Sequence, residues 1–143
     1  MKLPARVLAA LVDHARAASP RECCGVLIGN DTDIVEAFGT RNIAASPDRF
    51  LVDPSDHFQA VRRARECGLE ILGFYHSHPH SPPYPSPTDL LEATHPNALC
   101  LIVGLGGPQP EARLFRLGQE SARELLLEVA EIVDPTGVHL HGC

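Results

Sequence analysis

The segment HSHPHSPPYPSPTD, residues 76–89, constrains this chain most, because it places five prolines directly behind the apolar run LEILGFY. Proline has no backbone N–H and a fixed φ, so the segment continues neither a central strand nor a helix. A buried strand must therefore end near His78, and a stiff loop must carry the chain to the next regular element. Both ends of that loop are polar in defined patterns, His76-x-His78 at one and Ser86-x-x-Asp89 at the other.

Periodicity assigns the rest. Leu8, Leu11, Val12 and Ala15 recur at helix spacing with Pro4 placed for a first turn, so the N-terminal stretch reads as an amphipathic helix rather than a signal peptide. CGVLIGN reads as a strand, DTDIVEAFGT as its hairpin partner, and RFLVDP as a further short strand. Pro54 opens a second helix, with Phe58, Val61 and Ala64 on one face and Gly68 as its cap. LEILGFYHSH is a buried strand, SPTDLLEAT starts a short helix, and NALCLIVGL and ARLFRL are strands joined by a Gly/Pro turn. Residues 121–133 satisfy both helical and alternating periodicity, and helix and strand stay open there. The alternation of helices and strands implies one α/β domain over residues 1–143, a sheet with helices packed against it, with 136–143 as a flexible tail.

With 143 residues the chain is long enough for one sizeable core. Its net charge of −6 argues against nucleic acid or an anionic membrane as partner. No stretch is long enough to cross a bilayer. The five cysteines form no C-x-x-C pair, which fits free thiols in a reducing compartment and a cytoplasmic location.

His76 and His78 stand two apart at a strand end, so their imidazoles share a face and can chelate a metal. Alone, such a pair is more often solvated or packed. Ser86-Pro87-Thr88-Asp89 is, by itself, a capped helix start. The two readings are compatible, since a first-turn carboxylate can face a metal held by the neighbouring strand. Two imidazoles and one carboxylate match the ligand count of a catalytic zinc site that keeps a position open for water. Such a site needs a base as well, and none lies between His76 and Asp89. Glu22, in PRECCGVLIG ahead of the first hairpin strand, is the candidate.

Taken together, Glu22 with the following CCGVLIG and the run His76-x-His78, seven residues, Ser86, two residues, Asp89 resemble the signature of the JAMM (MPN-plus) metallopeptidases. The order of elements resembles that family from the first helix to ARLFRL. The resemblance implies a mixed β-sheet between helices, similar to cytidine deaminases. It implies one zinc ion per chain on His76, His78 and Asp89, with Glu22 as general base and then acid and Ser86 stabilising an oxyanion. The implied substrates are ubiquitin-like or β-grasp sulfur-carrier proteins, cut at a peptide or isopeptide bond after a C-terminal Gly-Gly. The competing expectation is a metal-free scaffold of the same fold, although such relatives lose ligand positions and this sequence has lost none. Other zinc hydrolase signatures, the deaminase H-x-E with P-C-x-x-C among them, are absent.

Overall fold

The computed structural model of the chain describes residues 1–91, 98–118 and 121–130. In chain order its elements are β1 (Lys2–Pro4), α1 (Ala5–Ala18), β2 (Cys24–Gly29), β3 (Ile34–Thr40), α2 (Pro54–Glu66), β4 (Glu70–His78), α3 (Pro87–Leu91), β5 (Leu99–Gly104), β6 (Glu111–Leu117), β7 (Ala122–Leu125) and β8 (Glu128–Ala130). Six of these strands form one sheet in the order β3-β2-β4-β5-β6-β7. The β4–β5 pair is parallel and the other neighbours are antiparallel, so the sheet is mixed, as expected. β1 and β8 pair in parallel as a separate ribbon.

The hairpin β2–β3 turns on Asn30, whose Oδ1 accepts the amides of Thr32 and Asp33. That side chain stands in for the missing backbone partners of the turn, as Asn does by preference. Strands β2 and β5 are buried at every residue, and both lie in the interior of the sheet with a paired neighbour on either side. α1 covers one face with Val7, Leu11 and Ala15, against Leu27, Tyr75, Leu101 and Leu114. Leu11 alone, fully buried, contributes about 2 kcal/mol. α2 covers part of the other face through Ala60 and Ala64, against Val26 and Ile28. Its start is fixed by Asp53, which accepts from the amides of Ser55 and Asp56, with Pro54 in the first turn. It ends at Gly68, which takes a left-handed φ of 67°.

Two expectations are corrected, and one left open is decided. Phe58 is 61% exposed, because the residues packed on the sheet are Ala60 and Ala64, and at 3.6 residues per turn Phe58 lies well round the helix from both. RFLVDP forms no strand, and only Val52 bridges to Asn42. In the tail the strand reading holds over the described residues: Leu114–Leu117 of β6 template β7, and Lys2–Pro4 template β8. Tertiary pairing overrides the helical period there. The last part of the ambiguous segment and the expected flexible tail, 131–143, lie outside the described residues.

Among the described residues no helix is long and apolar enough to cross a membrane. Among the described residues Cys23, Cys24 and Cys100 are buried thiols outside any disulfide, as the sequence suggested, and Cys67 is half-buried.

Candidate metal centre

Alternation along β4 sorts its C-terminal half onto two faces. Tyr75 and Ser77 point toward α1, where the Tyr75 hydroxyl meets His14 Nδ1 at 2.7 Å. A Cβ at Gly25 would enter the Tyr75 ring, so the bare backbone of β2 makes room for it. Phe74, His76 and His78 point the other way, onto the face that α2 leaves partly uncovered. The open part is a groove of about 660 Å³, lined in part by Phe74, His76, Asp89, Cys100 and Leu117 and walled by residues 43–52.

The proline loop then folds back over the end of the sheet. Leu105 N donates to His78 O at 3.1 Å, and His78 Nδ1 donates to Pro82 O at 2.9 Å. A carbonyl only accepts, so that contact puts a proton on His78 Nδ1, and in the neutral ring Nε2 then carries the lone pair. Pro83 lies on Gly104, where a Cβ would come within 2.7 Å of its Cδ. Tyr84 packs on Phe115 and lies beneath the Arg113 guanidinium, 4.8 Å from the ring centre.

The loop ends in a reciprocal cap. Asp89 N donates to Ser86 Oγ at 3.0 Å, and Ser86 N donates to Asp89 Oδ2 at 2.8 Å. The same Oδ2 lies 3.3 Å from His76 Nε2 and 3.2 Å from His78 Nε2, and the two Nε2 atoms are 3.2 Å apart. Glu22, immediately before β2, joins them: one atom each of Glu22, His76 and His78 lies within 4.8 Å of the others, in an arrangement able to hold a metal ion. All five residues singled out in the sequence therefore meet at one end of the groove.

The electrostatics follow from burial around a single carboxylate. Burial lowers the His76 pKa, more than Asp89 raises it. Burial works the same way on His78, but there Asp89, the Pro82 carbonyl and Glu22 prevail and the pKa rises. Asp89 is held well below the usual carboxylate range, the bonds to both imidazoles and to Ser86 N outweighing its burial. Glu22 is pushed up to about 7, by burial first and then by the charges of Asp89 and Asp48 against the opposing pull of His78. Its Oε1 is buried with no hydrogen-bond partner among the described residues, and so is His76 Nδ1. A desolvated, unpartnered carboxylate beside two imidazoles is what a base poised near neutral pH requires.

Phe50 was not singled out by sequence. It stacks on His76 with ring centres 4.4 Å apart and planes 17° from parallel. The apolar RFLV run carries it there; the same run had suggested a strand. Cys23 faces the α1-side core rather than the metal centre, and burial pushes its thiol up to about 11. His14 and His57 are packing residues, against Tyr75 and Phe74 respectively. His95, His139 and His141 lie outside the described residues.

The chain is 35% identical to the desampylase of Haloferax volcanii over 115 residues, covering 75% of this chain and 82% of that protein. It is 32% identical to the CysO-cysteine peptidase of Mycobacterium tuberculosis over 125 residues, covering 85% of this chain and 86% of that one. A solution structure of a Desulfitobacterium hafniense protein superposes with a TM-score of 0.85 at 30% identity, covering 96% of this chain and 98% of that one. The family model described as prokaryotic homologs of the JAB domain matches residues 4–118, from the start of α1 to the end of β6. The chain belongs to that family, a prokaryotic branch of the JAMM/MPN proteins its motif resembles.

Proposed function

We propose that the chain is a zinc metallopeptidase that hydrolyses the peptide or isopeptide bond after the C-terminal Gly-Gly of a ubiquitin-like or sulfur-carrier protein. The observation that carries this reading is the triangle of His76 Nε2, His78 Nε2 and Asp89 Oδ2, with sides of 3.2, 3.2 and 3.3 Å. Zinc–ligand bonds of about 2.0–2.1 Å in tetrahedral geometry put ligand atoms roughly 3.3 Å apart. With the His78 proton on Nδ1, a neutral His78 turns a lone pair toward the Asp89 oxygen, a repulsive arrangement that a cation relieves. Glu22, within reach of both imidazoles, is read as base rather than ligand, since the triangle already supplies three ligands.

Zinc held there supplies a Lewis acid that polarises the scissile carbonyl and lowers the pKa of a water from about 16 to about 7. Glu22 takes the proton that the water gives up and passes it to the departing amine. Its elevated pKa keeps the two transfers close to balanced at neutral pH. Ser86 Oγ already accepts the Asp89 amide, which leaves its O–H to donate to the carbonyl oxygen as negative charge develops. The groove beside His76 receives the carrier tail. The desampylase and CysO-cysteine peptidase relatives support a small carrier conjugate as the substrate class.

The test incubates β-grasp carriers extended beyond Gly-Gly with the protein, with and without chelator, and reads the new C-terminus by mass spectrometry. A chelator-sensitive cut after Gly-Gly, lost in Glu22→Gln with zinc retained, is the expected result. A folded protein that takes up no zinc would return the chain to the scaffold reading.

A further inference from the structure

The last rung of the β2–β3 ladder is Cys24↔Thr40, so the carbonyl of Glu22 lies beyond backbone pairing with β3. Its partner is a side chain, Asn42 Nδ2, which donates to Glu22 O at 3.0 Å. The same nitrogen donates to Arg49 O at 3.0 Å. Asn42 Oδ1 accepts the amides of Ala44 at 3.0 Å and Leu51 at 2.9 Å. The amide is saturated, two donors against two carbonyls and one oxygen against two N–H groups, which also fixes which way round it sits. One side chain thus ties the segment bearing Glu22 to both arms of the 42–52 strap. That strap presents Phe50 to the His76 ring.

From this we infer that Asn42 is a positioning residue for the reaction: it sets the Glu22 backbone, and through it the carboxylate, relative to the triangle of His76, His78 and Asp89. The inference rests on the reading of Glu22 as the base. Asn42 touches neither the metal ligands nor the reacting atoms. It acts through a main-chain carbonyl that the sheet itself leaves without a partner from β3. Glu22 Oε1 is buried with no hydrogen-bond partner among the described residues, so the placement of the carboxylate leans on the backbone beneath it.

The experiment is a kinetic cycle with Asn42→Ala, Glu22→Gln and their double variant, on a carrier that the wild-type protein cleaves. Asn42→Asp runs in parallel: it is isosteric, keeps the bonds from Ala44 N and Leu51 N, and loses those to Glu22 O and Arg49 O, so it serves if the alanine variant folds poorly. Asn42→Ala is expected to lower kcat roughly 10- to 100-fold, the scale of an ångström-level misplacement, with zinc content and KM unchanged. In the Glu22→Gln background the same change should remove nothing further, because residues acting as a unit are not additive. Hydrogen exchange should rise in residues 20–24 and 42–52 of Asn42→Ala and not elsewhere. Equal losses in both backgrounds, an undiminished kcat, or unchanged exchange in 20–24 would each overturn the proposal. Full activity in Glu22→Gln alone would instead sink the assignment of the base, a distinct failure.

Discussion

Replacing Glu22 by Gln should change the stability of the metal-free protein in a pH-dependent way whose sign is opposite to that of most carboxylates. The folded chain holds Glu22 near 7, against an ordinary value of 4.5. Below about pH 4.5 the group is protonated in both folded and unfolded chains and has no linkage effect. As pH rises from 4.5 to 7 the unfolded chain ionises first and binds fewer protons than the folded one, so stability falls. Above 7 the penalty is complete. A gap of about 2.5 between the two values, at about 1.36 kcal/mol each, sets a ceiling of about 3.4 kcal/mol. The groove is open to water, and screening there reduces this to about 1–2 kcal/mol. Gln does not titrate, so any effect of its own burial is a constant offset. Urea unfolding of chelated wild type and Glu22→Gln, from pH 4.5 to 8, should therefore show the variant gaining about 1–2 kcal/mol relative to wild type across that range. A difference that stays flat with pH would refute the claim that burial raises this carboxyl.

Three further outcomes are expected. His78→Ala and Asp89→Ala should each lose zinc, read as metal content of the purified protein, because either change removes a vertex of the proposed ligand triangle. Gly104→Ala puts a methyl 2.7 Å from Pro83 Cδ and 2.9 Å from Pro83 N, so the proline loop must lift. The overpacking should cost roughly 1–3 kcal/mol. Because the loop also holds His78 Nδ1, zinc affinity in competition with a chromophoric chelator should drop roughly tenfold. Tyr75→Phe removes the bond to His14 Nδ1 and should lower stability by about 1 kcal/mol in thermal or urea unfolding, leaving turnover intact since Tyr75 faces away from His76.

The candidate metal centre was legible in the sequence because each of its parts is also a local structural signal. His-x-His shares a face only on a strand, and the apolar run before it said strand. Ser-Pro-Thr-Asp is a helix cap whether or not it serves chemistry, and the cap that forms, Ser86 with Asp89, is the one that aims Oδ2 at the imidazoles. What the sequence left open is non-local. Residues 122–130 satisfy two periods, and the deciding partners are β6 and residues 2–4, the latter far outside any window. Asn42 and Phe50 were missed for a related reason. An Asn after a strand reads as a turn former, and nothing nearby in the chain announces that its amide will reach Glu22, twenty residues earlier. The exposure of Phe58 shows the limit of pattern alone: Phe58 with Val61 and Ala64 makes one plausible face, and the sheet instead takes the neighbouring stripe of Ala60 and Ala64.

The parallel ribbon of β1 and β8 bears on how this protein is made. Met1 N donates to Leu126 O and Glu128 N to Met1 O, joining segments 125 residues apart along the chain. At synthesis rates of 5–20 residues per second, residues 2–4 wait roughly ten seconds on the ribosome before that partner exists. Until then Leu3, fully buried in the finished core, has no β8 strand alongside it. The interval is one in which a chaperone or a neighbouring nascent chain competes for that strand.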